Sequence, residues 1–390
     1  MFYHPKKYRR VDFVMGRIMY MLIRNANAFI DGRFISETDV LVREGRISRI
    51  GKNLAADDAQ VVDLHGDYLL PGFVDVHMHG YGGWEIMNGE DELRAICREA
   101  RKKGLAAFLA TTETSTAMRT AASIRAIHNV MIHPEEDGAI VLGAHMEGPF
   151  MAAEKSGALL KEYFVLPTIE NFERYTEGAA DAVKMISMAP ELEGAVDFIR
   201  YAVSRGIHVS IGHTGADAET VHAAADCGAD HVTHMFNAQT GLHHRRPGVP
   251  GAAMADDRLF CEVICDGVHV HPDVVRVAAR CKGAERFVAI TDAMTVTGLP
   301  EGEYFACGHK VIVRSDAVYL EDGTLCGSKI TMADAFVNLI RCGIAPEDAA
   351  LMTTQTPARS VGAENIGVIR EGACAVFARF NQDFEFVEAI

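Results

Sequence analysis

Histidines and carboxylates recur in this sequence directly after short apolar runs, a pattern that can build a metal centre. In the run from Asp75 to His79, His77 and His79 are two residues apart. On a β-strand, a spacing of two places both imidazoles on the same face. Two imidazoles directed at one polar point can bind zinc or iron. The structural alternative is a pair of hydrogen-bonded histidines at a strand end.

Three further apolar runs are each followed by a histidine or a carboxylate that can bind a metal. Glu147 precedes a Gly148-Pro149 break, and His213 and His234 each follow a run of their own. With the first pair, they supply enough ligands for one divalent cation or for two, and both oxygens of Glu147 can bridge a pair of cations. Chance would need four coincidences at independent strand ends, so we predict a functional metal site.

Two more residues suit the chemistry beside such a site. Asp292 follows another apolar run, and a carboxylate beside a divalent cation stays ionised. It can take a proton from an attacking water and return it to a leaving group, which predicts a general acid/base; a purely structural ligand is the alternative. His269, three residues after Asp266, can donate a hydrogen bond to a substrate carbonyl, unless it is an ordinary surface histidine.

The loop at 236–248 carries the densest group of basic side chains in an otherwise acidic chain. Four of them are consecutive, at His243–Arg246. Arginine presents a forked donor that fits phosphate or carboxylate oxygens. Such a run is usually a solvated surface loop, but its place just after His234 favours contact with an anionic group of a substrate.

Eight apolar runs of strand length must position these side chains. Most are separated by amphipathic stretches of helical length, which is typical of parallel strands covered on both faces. The polar residues described above follow runs one, three, five, six, seven and eight. In a doubly wound sheet, strands so widely separated in the sheet order would not bring their ends to one place. In a barrel, the ends of all the strands surround one axis. We therefore predict an α/β fold with a (β/α)8 TIM barrel at residues 71–350. The runs are 73–76, 106–110, 140–144, 183–188, 208–211, 231–233, 260–264 and 287–290.

The two ends of the chain have a different texture. Short alternating runs punctuated by Gly and Asp occupy residues 21–70 and return near the C-terminus, which predicts a small β-sandwich domain built from 21–70 and 351–390. Residues 1–20 make a poor signal peptide, because their apolar stretch carries Asp12 and Arg17. We expect an N-terminal extension there, either disordered or ahead of the true start.

The composition is that of a globular protein. Of 390 residues, 49% are hydrophobic and 23% are charged, and 38 Lys and Arg against 53 Asp and Glu give a net charge of −15. This balance argues against a nucleic-acid partner, and no apolar run reaches the roughly 18 residues of a membrane span. The nine cysteines include no CxxC pair. Reduced thiols in a cytoplasmic protein are therefore expected.

Taken together, several phrases resemble the N-acetylglucosamine-6-phosphate deacetylases of the amidohydrolase superfamily. The resemblance runs in unbroken order from about Met21 to the C-terminus, whereas the HxH pair alone would mark only the superfamily. It implies a homodimeric enzyme that hydrolyses the N-acetyl group of N-acetylglucosamine 6-phosphate to glucosamine 6-phosphate and acetate. The matching phrases are Leu70–Gly80, His145–Phe150, Gly212–Thr214, Thr233–Ala238, His243–Gly248, Asp266–His269, Thr291-Asp292 and Asp322–Ser328.

The resemblance also implies how the metal ligands divide. Glu147, His213 and His234 would hold the principal cation. His77 and His79 would form a second site with Glu147, so one or two divalent cations, zinc or iron, are expected in each subunit. Some members replace this histidine pair and use one metal, whereas this sequence keeps both residues.

For the substrate, the resemblance implies an acid/base at Asp292 and a carbonyl-polarising residue at His269. Phosphate contacts in this family can come from the neighbouring subunit. One departure lies after Gly157, where some members carry His or Gln and this chain has Ala158. The implied substrate contacts are Ala158, Asn237, Ala238, His243, Arg245, His269, Leu325, Cys326 and Gly327.

Three alternatives stay open at this point. The sugar substrate can instead be N-acetylgalactosamine 6-phosphate. Another amidohydrolase reaction, on a different N-acyl or cyclic amide, is the next alternative, although cyclic amidases often bridge their metals with a carboxylated lysine where this chain has Glu147. A non-catalytic scaffold barrel is the most remote, because such a chain should have lost ligands.

Overall fold

The computed structural model describes residues 20–390, so the N-terminal extension expected at 1–20 lies outside the described residues except for Tyr20. The strands are β1 Tyr20–Ile30, β2 Arg33–Arg43, β3 Arg46–Gly51, β4 Gln60–Asp63, β5 Tyr68–Pro71, β6 Phe73–Met78, β7 Gly80–Tyr81, β8 Trp84–Glu85, β9 Leu105–Thr112, β10 Ile140–Glu147, β11 Val183–Met188, β12 His208–Ile211, β13 His231–Val232, β14 Phe260–Ile264, β15 Phe287–Ile290, β16 Gly302–Ala306, β17 His309–Val313, β18 Val318–Leu320, β19 Phe377–Phe380 and β20 Phe386–Ala389. The helices are α1 Glu90–Arg101, α2 Ala117–Ile132, α3 Ile169–Thr176, α4 Ala195–Ser204, α5 Ala218–Asp226, α6 Gly248–Ala255, α7 Pro272–Lys282, α8 Met332–Arg341, α9 Pro346–Thr353 and α10 Gln355–Ser360.

Eight parallel strands form the central barrel. Their order is β15-β14-β13-β12-β11-β10-β9-β6. The two end strands meet where Asp292 N–H donates to the His77 carbonyl at 2.9 Å, and Met78 and Ala293 form a parallel bridge just beyond. The predicted (β/α)8 barrel is confirmed, and each predicted apolar run corresponds to one of these strands.

Burial explains why the apolar runs were reliable guides to the strands. All eight residues of β9 are buried, as are all six of β6, because helices cover the outer face and side chains fill the interior. The helices bury one stripe each; in α1 that stripe includes Leu93, Ile96 and Ala100, at spacings of three and four. The rigid layer that results fixes the C-terminal strand ends.

Strands from both ends of the chain form a second sheet. Its order is β20-β19-β5-β1-β2-β3, and β4 pairs with β1. The join between the two ends is the antiparallel pair β5–β19, in which Pro71 lies opposite Phe377. This confirms that the termini build a common β unit, whereas the domain limits at residues 70 and 350 stay predictions.

A three-stranded antiparallel sheet, β16–β18, was not expected from the sequence. It lies in the connection between β15 and α8. Its buried residues Val311, Val313 and Val318 pack with Met294 and Cys326 in a cluster of their own. The insert thereby covers one side of the strand-end face of the barrel.

Among residues 20–390, no helix is both long and apolar enough to cross a lipid bilayer. The cytoplasmic location expected from the sequence stays a prediction.

Candidate metal centre

The carboxyl ends of the barrel strands bring the predicted ligands together in two groups. The first is made of Glu147, the last residue of β10, with His213 and His234, which each lie two residues beyond the end of a strand, β12 and β13 respectively. Glu147 Oε1 lies 3.2 Å from His213 Nε2 and 2.9 Å from His234 Nε2, and the two imidazole nitrogens are 3.1 Å apart. All three side chains are buried.

The second group contains His77, His79 and Asp292. His77 Nε2 and His79 Nε2 are 3.3 Å apart, and Asp292 Oδ1 lies 3.2 Å from the latter and 3.6 Å from the former. Glu147 joins the groups, since its Oε1 is 3.5 Å from His77 Nε2 and its Oε2 is 3.3 Å from His79 Nε2. The structure thus gathers five of the predicted residues around the carboxylate of the sixth, Glu147.

A hydrogen bond outside the groups fixes which imidazole nitrogen of His213 faces inward. His213 Nδ1 donates a hydrogen bond to the Lys155 carbonyl at 2.8 Å. In the neutral ring, Nε2 then carries the lone pair. The Nδ1 atoms of His79 and His234 are buried without a hydrogen-bond partner among the described residues. The Nε2 atoms of all four histidines lie within 3.5 Å of an oxygen of Glu147.

Three residues of the site have a left-handed backbone. The φ angles are +47° at His213, +26° at His234 and +50° at Asp292. Residues other than glycine rarely adopt such angles, which cost about 1–3 kcal/mol each and cluster at functional sites. Each lies where the chain leaves its strand, so the local turn directs the side chain toward the barrel axis.

Two carboxylates that the sequence analysis passed over also face this region. Glu262, in the middle of β14, is wholly buried and lies 3.0 Å from His77 Nδ1. Glu113 follows β9 and lies 3.8 Å from His79 Nδ1; burial raises its pKa to about 7. The signals were present in the sequence: Glu262 is a charge inside an apolar run, and Glu113 lies three residues after the end of the second apolar run.

A cavity of about 240 Å³ opens over the two groups. Asp292, His269 and most of the implied substrate contacts line it, whereas His243 and Arg245 do not and are exposed. No lysine or arginine of the described part of the chain lines the cavity. The further wall residues missed by the sequence analysis include Glu113, Ile264, Met294, Cys307, His309 and Thr324.

His269 is held in the cavity wall by a neighbouring carboxylate. Its Nδ1 lies 2.6 Å from Asp266 Oδ2, and both side chains are almost wholly buried. Burial alone would lower the pKa of His269, but the hydrogen bond and charge of Asp266 outweigh it and raise that pKa. A protonated His269 can donate from both ring nitrogens, which suits it to a developing negative charge.

The pKa of Asp292 is shifted in the opposite direction, to lower values. Burial alone would raise its pKa, but the hydrogen bond from His79 and the charges of His77 and His79 outweigh it and hold the pKa well below the usual range. The carboxyl group is therefore ionised at neutral pH and is able to accept a proton.

A third group of His208, Asp230 and His231 differs from the other two. It lies at the opposite end of the barrel, where β12 and β13 begin. The Asp230 oxygens are 2.7 Å and 2.8 Å from the two Nδ1 atoms, distances typical of N–H···O bonds. Ligand atoms around a tetrahedral zinc are instead separated by about 3.3 Å. We interpret this group as a hydrogen-bonded clamp between two strands.

Comparisons with known proteins agree with this architecture. The Amidohydrolase family model matches residues 68–389. An N-acetylglucosamine-6-phosphate deacetylase of Vibrio furnissii is 36% identical over 87% of this chain and 86% of its own. An N-acetylgalactosamine-6-phosphate deacetylase of Escherichia coli O157:H7 is 33% identical over 80% of this chain and 83% of its own. The crystal structure of an N-acetylglucosamine-6-phosphate deacetylase from Pasteurella multocida matches with a TM-score of 0.89 at 27% identity, covering 95% of this chain and 98% of that one.

Proposed function

The chain belongs to the amidohydrolase family, and on that premise we propose that it hydrolyses the N-acetyl group of N-acetylglucosamine 6-phosphate, releasing glucosamine 6-phosphate and acetate. The observation that carries the proposal is the pair of ligand groups joined by Glu147 on the floor of the cavity. The sugar phosphate is taken from the relatives that match over most of the chain.

The residues present fit one divalent cation in each group. Distances between ligand atoms are 2.9–3.2 Å in the first group and 3.2–3.6 Å in the second, close to the roughly 3.3 Å of a tetrahedral site. Metal-ligating imidazoles are neutral, and a bound cation would then replace their positive charge in compensating the buried carboxylates of Glu147 and Asp292. Glu147, His213 and His234 would hold the principal cation, and His77, His79 and Asp292 would hold a second with Glu147. Zinc and iron both suit nitrogen and carboxylate ligands.

Such a cation supplies Lewis acidity, which polarises the amide carbonyl and makes the attacking water easier to deprotonate. The chain's own residues do the rest. Asp292, ionised and at the cavity wall, accepts the proton of the water and returns it to the departing amine. His269, protonated beside Asp266, donates to the carbonyl oxygen as it becomes negative. Asn237, Ala238, Ala158 and the segment Leu325–Gly327 surround the sugar.

The phosphate needs a cationic partner that the cavity of one chain does not offer, since no lysine or arginine of the described residues lines it. We assign that role to the exposed loop carrying His243 and Arg245, acting from the second subunit of a homodimer. Arginine suits it because the guanidinium group binds phosphate oxygens in pairs.

The test is acetate release from N-acetylglucosamine 6-phosphate beside unphosphorylated N-acetylglucosamine, with metal-replete protein. Release from the phosphorylated sugar alone is the expected result. Equal release from both would remove the phosphate from the proposal. No release from either, with metal bound, would overturn the substrate and direct the search to other N-acyl and cyclic amides.

N-acetylgalactosamine 6-phosphate is the second candidate substrate. One relative at 33% identity bears that name, and the two sugars differ only in the configuration of one hydroxyl group. Measuring kcat/KM for both phosphorylated sugars in the same assay decides between them.

A further inference from the structure

Glu262 is a charged residue in a strand that is otherwise apolar. All five residues of β14 are buried, and no part of Glu262 is exposed. A carboxylate in such a place needs a compensating partner. One oxygen, Oε2, has His77 Nδ1 at 3.0 Å, and the other, Oε1, has no hydrogen-bond partner among the described residues. The burial of Glu262 therefore depends on His77.

This contact decides the tautomer of His77. An ionised carboxylate only accepts hydrogen bonds, so Nδ1 of His77 carries a proton, and the neutral ring that binds a metal then keeps its lone pair on Nε2. That lone pair faces the second ligand group, 3.3 Å from His79 Nε2 and 3.6 Å from Asp292 Oδ1. Carboxylates that hold a ligating histidine in this way raise its basicity and fix its ring.

The neighbouring His145 does not compete for this role. Its ligand atom lies within 4.8 Å of those of Glu262 and His77. However, its Nδ1 donates to the Val76 carbonyl at 2.9 Å and its Nε2 lies 2.7 Å from the Ser187 hydroxyl. Both nitrogens of His145 are thus engaged, which leaves the Glu262 carboxylate to His77.

The histidines of the first ligand group are not oriented by the carboxylate of Glu262. His213 is fixed by the Lys155 carbonyl, and His234 receives from Glu262 only a backbone contact, 3.4 Å from its N–H. Removing the carboxylate of Glu262 therefore acts mainly on the second group.

We propose that Glu262 is the positioning residue that sets the affinity of the second cation site, by holding His77 with its Nε2 lone pair toward that site. This inference rests on the proposed function, because it takes the two groups to be metal sites. It goes further in naming a residue that touches neither cation and makes one site depend on it.

The test compares wild-type protein with Glu262→Gln and Glu262→Leu. Zinc-loaded protein is dialysed against a series of zinc buffers, and the zinc retained per subunit gives a Kd for each site. We expect the second cation site to lose roughly 10–100-fold in affinity in Glu262→Leu, while the affinity of the first site is unchanged. Glu262→Gln should lose less, because its amide oxygen still accepts from His77.

Glu85→Gln is the matched control. Glu85 is also buried, but it pairs with Arg119 and the Cys307 N–H rather than with a histidine of either group. This variant should keep both affinities. Long-range ¹H–¹⁵N spectra of the ring nitrogens add a readout that simple loosening would not change: the Nδ1–H tautomer of His77 should be single in wild type and mixed in Glu262→Leu.

Wild-type affinity at both sites in Glu262→Leu would overturn the inference, and so would an equal loss at both sites that Glu85→Gln shares. A wild-type chain that retains one zinc ion per subunit also overturns it, and leaves one-cation catalysis standing. Two retained zinc ions with the expected Glu262 effect but no acetate release would instead overturn the proposed function alone.

Discussion

Asp292 combines a contact to the histidines with a place at the cavity wall. Its Oδ1 lies 3.2 Å from His79 Nε2. In Asp292→Asn, the amide keeps the shape and one coordinating oxygen but cannot accept a proton at neutral pH. We expect kcat to fall by roughly 10²–10⁴ with metal still bound. Steady-state kinetics with a metal assay on the same sample check this, and near-normal turnover would remove Asp292 from the acid/base role.

His269 predicts the alkaline limb of the pH profile. Asp266 raises its pKa, so the donating, protonated form persists above the ordinary range and kcat falls as pH rises through the raised value. The stability contributed by the pair follows the same sign, being present at lower pH and lost as pH rises. Asp266→Asn removes the carboxylate that raises the pKa of His269, so the alkaline limb of the kcat profile should move to lower pH.

Asp273→Asn serves as the control for this shift. Asp273 is exposed and lies near His271, away from the cavity. Its replacement should leave the kcat profile unchanged. An alkaline limb that stays in place in Asp266→Asn would contradict the assignment of His269.

How much of the site the sequence could predict depended on what marked each residue. His77, Glu147 and Asp292 stood out because each lies within three residues of the end of an apolar run. Glu262 has no such position, and only its charge within a buried strand marked it. The distances between side chains could not be foreseen, because they depend on how strands that are far apart in the chain are packed side by side.

At the scale of elements, the clamp between β12 and β13 predicts a stability effect. Burial alone would raise the pKa of Asp230, but the charge of His231 and the hydrogen bonds from His208 and His231 outweigh it and lower that pKa. The stabilisation is therefore present at neutral pH and is lost as pH falls through the lowered value. Asp230→Asn should reduce the free energy of unfolding by about 1–3 kcal/mol at pH 7.

Urea unfolding at pH 7 and in acid measures this difference, which should shrink in acid. Asp226→Asn is the control, because Asp226 pairs with Arg258 at the surface and such pairs contribute at most about 1 kcal/mol. A destabilisation by Asp230→Asn that is equal at both pH values would show that its charge is not responsible.

The barrel strands were predictable and the β16–β18 insert was not. Continuous burial makes barrel strands into apolar runs, as in β9. The insert has one solvent-facing side, and Phe305 there is 75% exposed, so apolar residues in it do not distinguish a core face. Strands of three to five residues also give too few alternations to identify.

At the scale of the whole molecule, a phosphate contact from a second subunit predicts complementation. Arg245→Ala and Asp292→Asn chains should each be impaired alone. In a mixed dimer, one site has Asp292 from one chain and Arg245 from the other. Random re-association should then restore about one quarter of wild-type activity. The measurement is kcat/KM after mixing and re-association. No recovery would place Arg245 in its own chain's site, and an Arg245→Ala chain that is fully active alone would place Arg245 outside any site.

The pairing of β5 with β19 has a consequence for synthesis on the ribosome. Pro71 and Phe377 are opposite one another but lie about 300 residues apart in the chain, which takes roughly 15–60 s to translate at 5–20 residues per second. During that interval the edge of β5 has no partner and is open to chaperones. Proteolysis of ribosome-stalled chains should cleave within β1–β5 until β19 has emerged, and full protection of shorter chains would contradict this. The amino-terminal strands are thus synthesised first, but their sheet gains its last strands only at the end of synthesis.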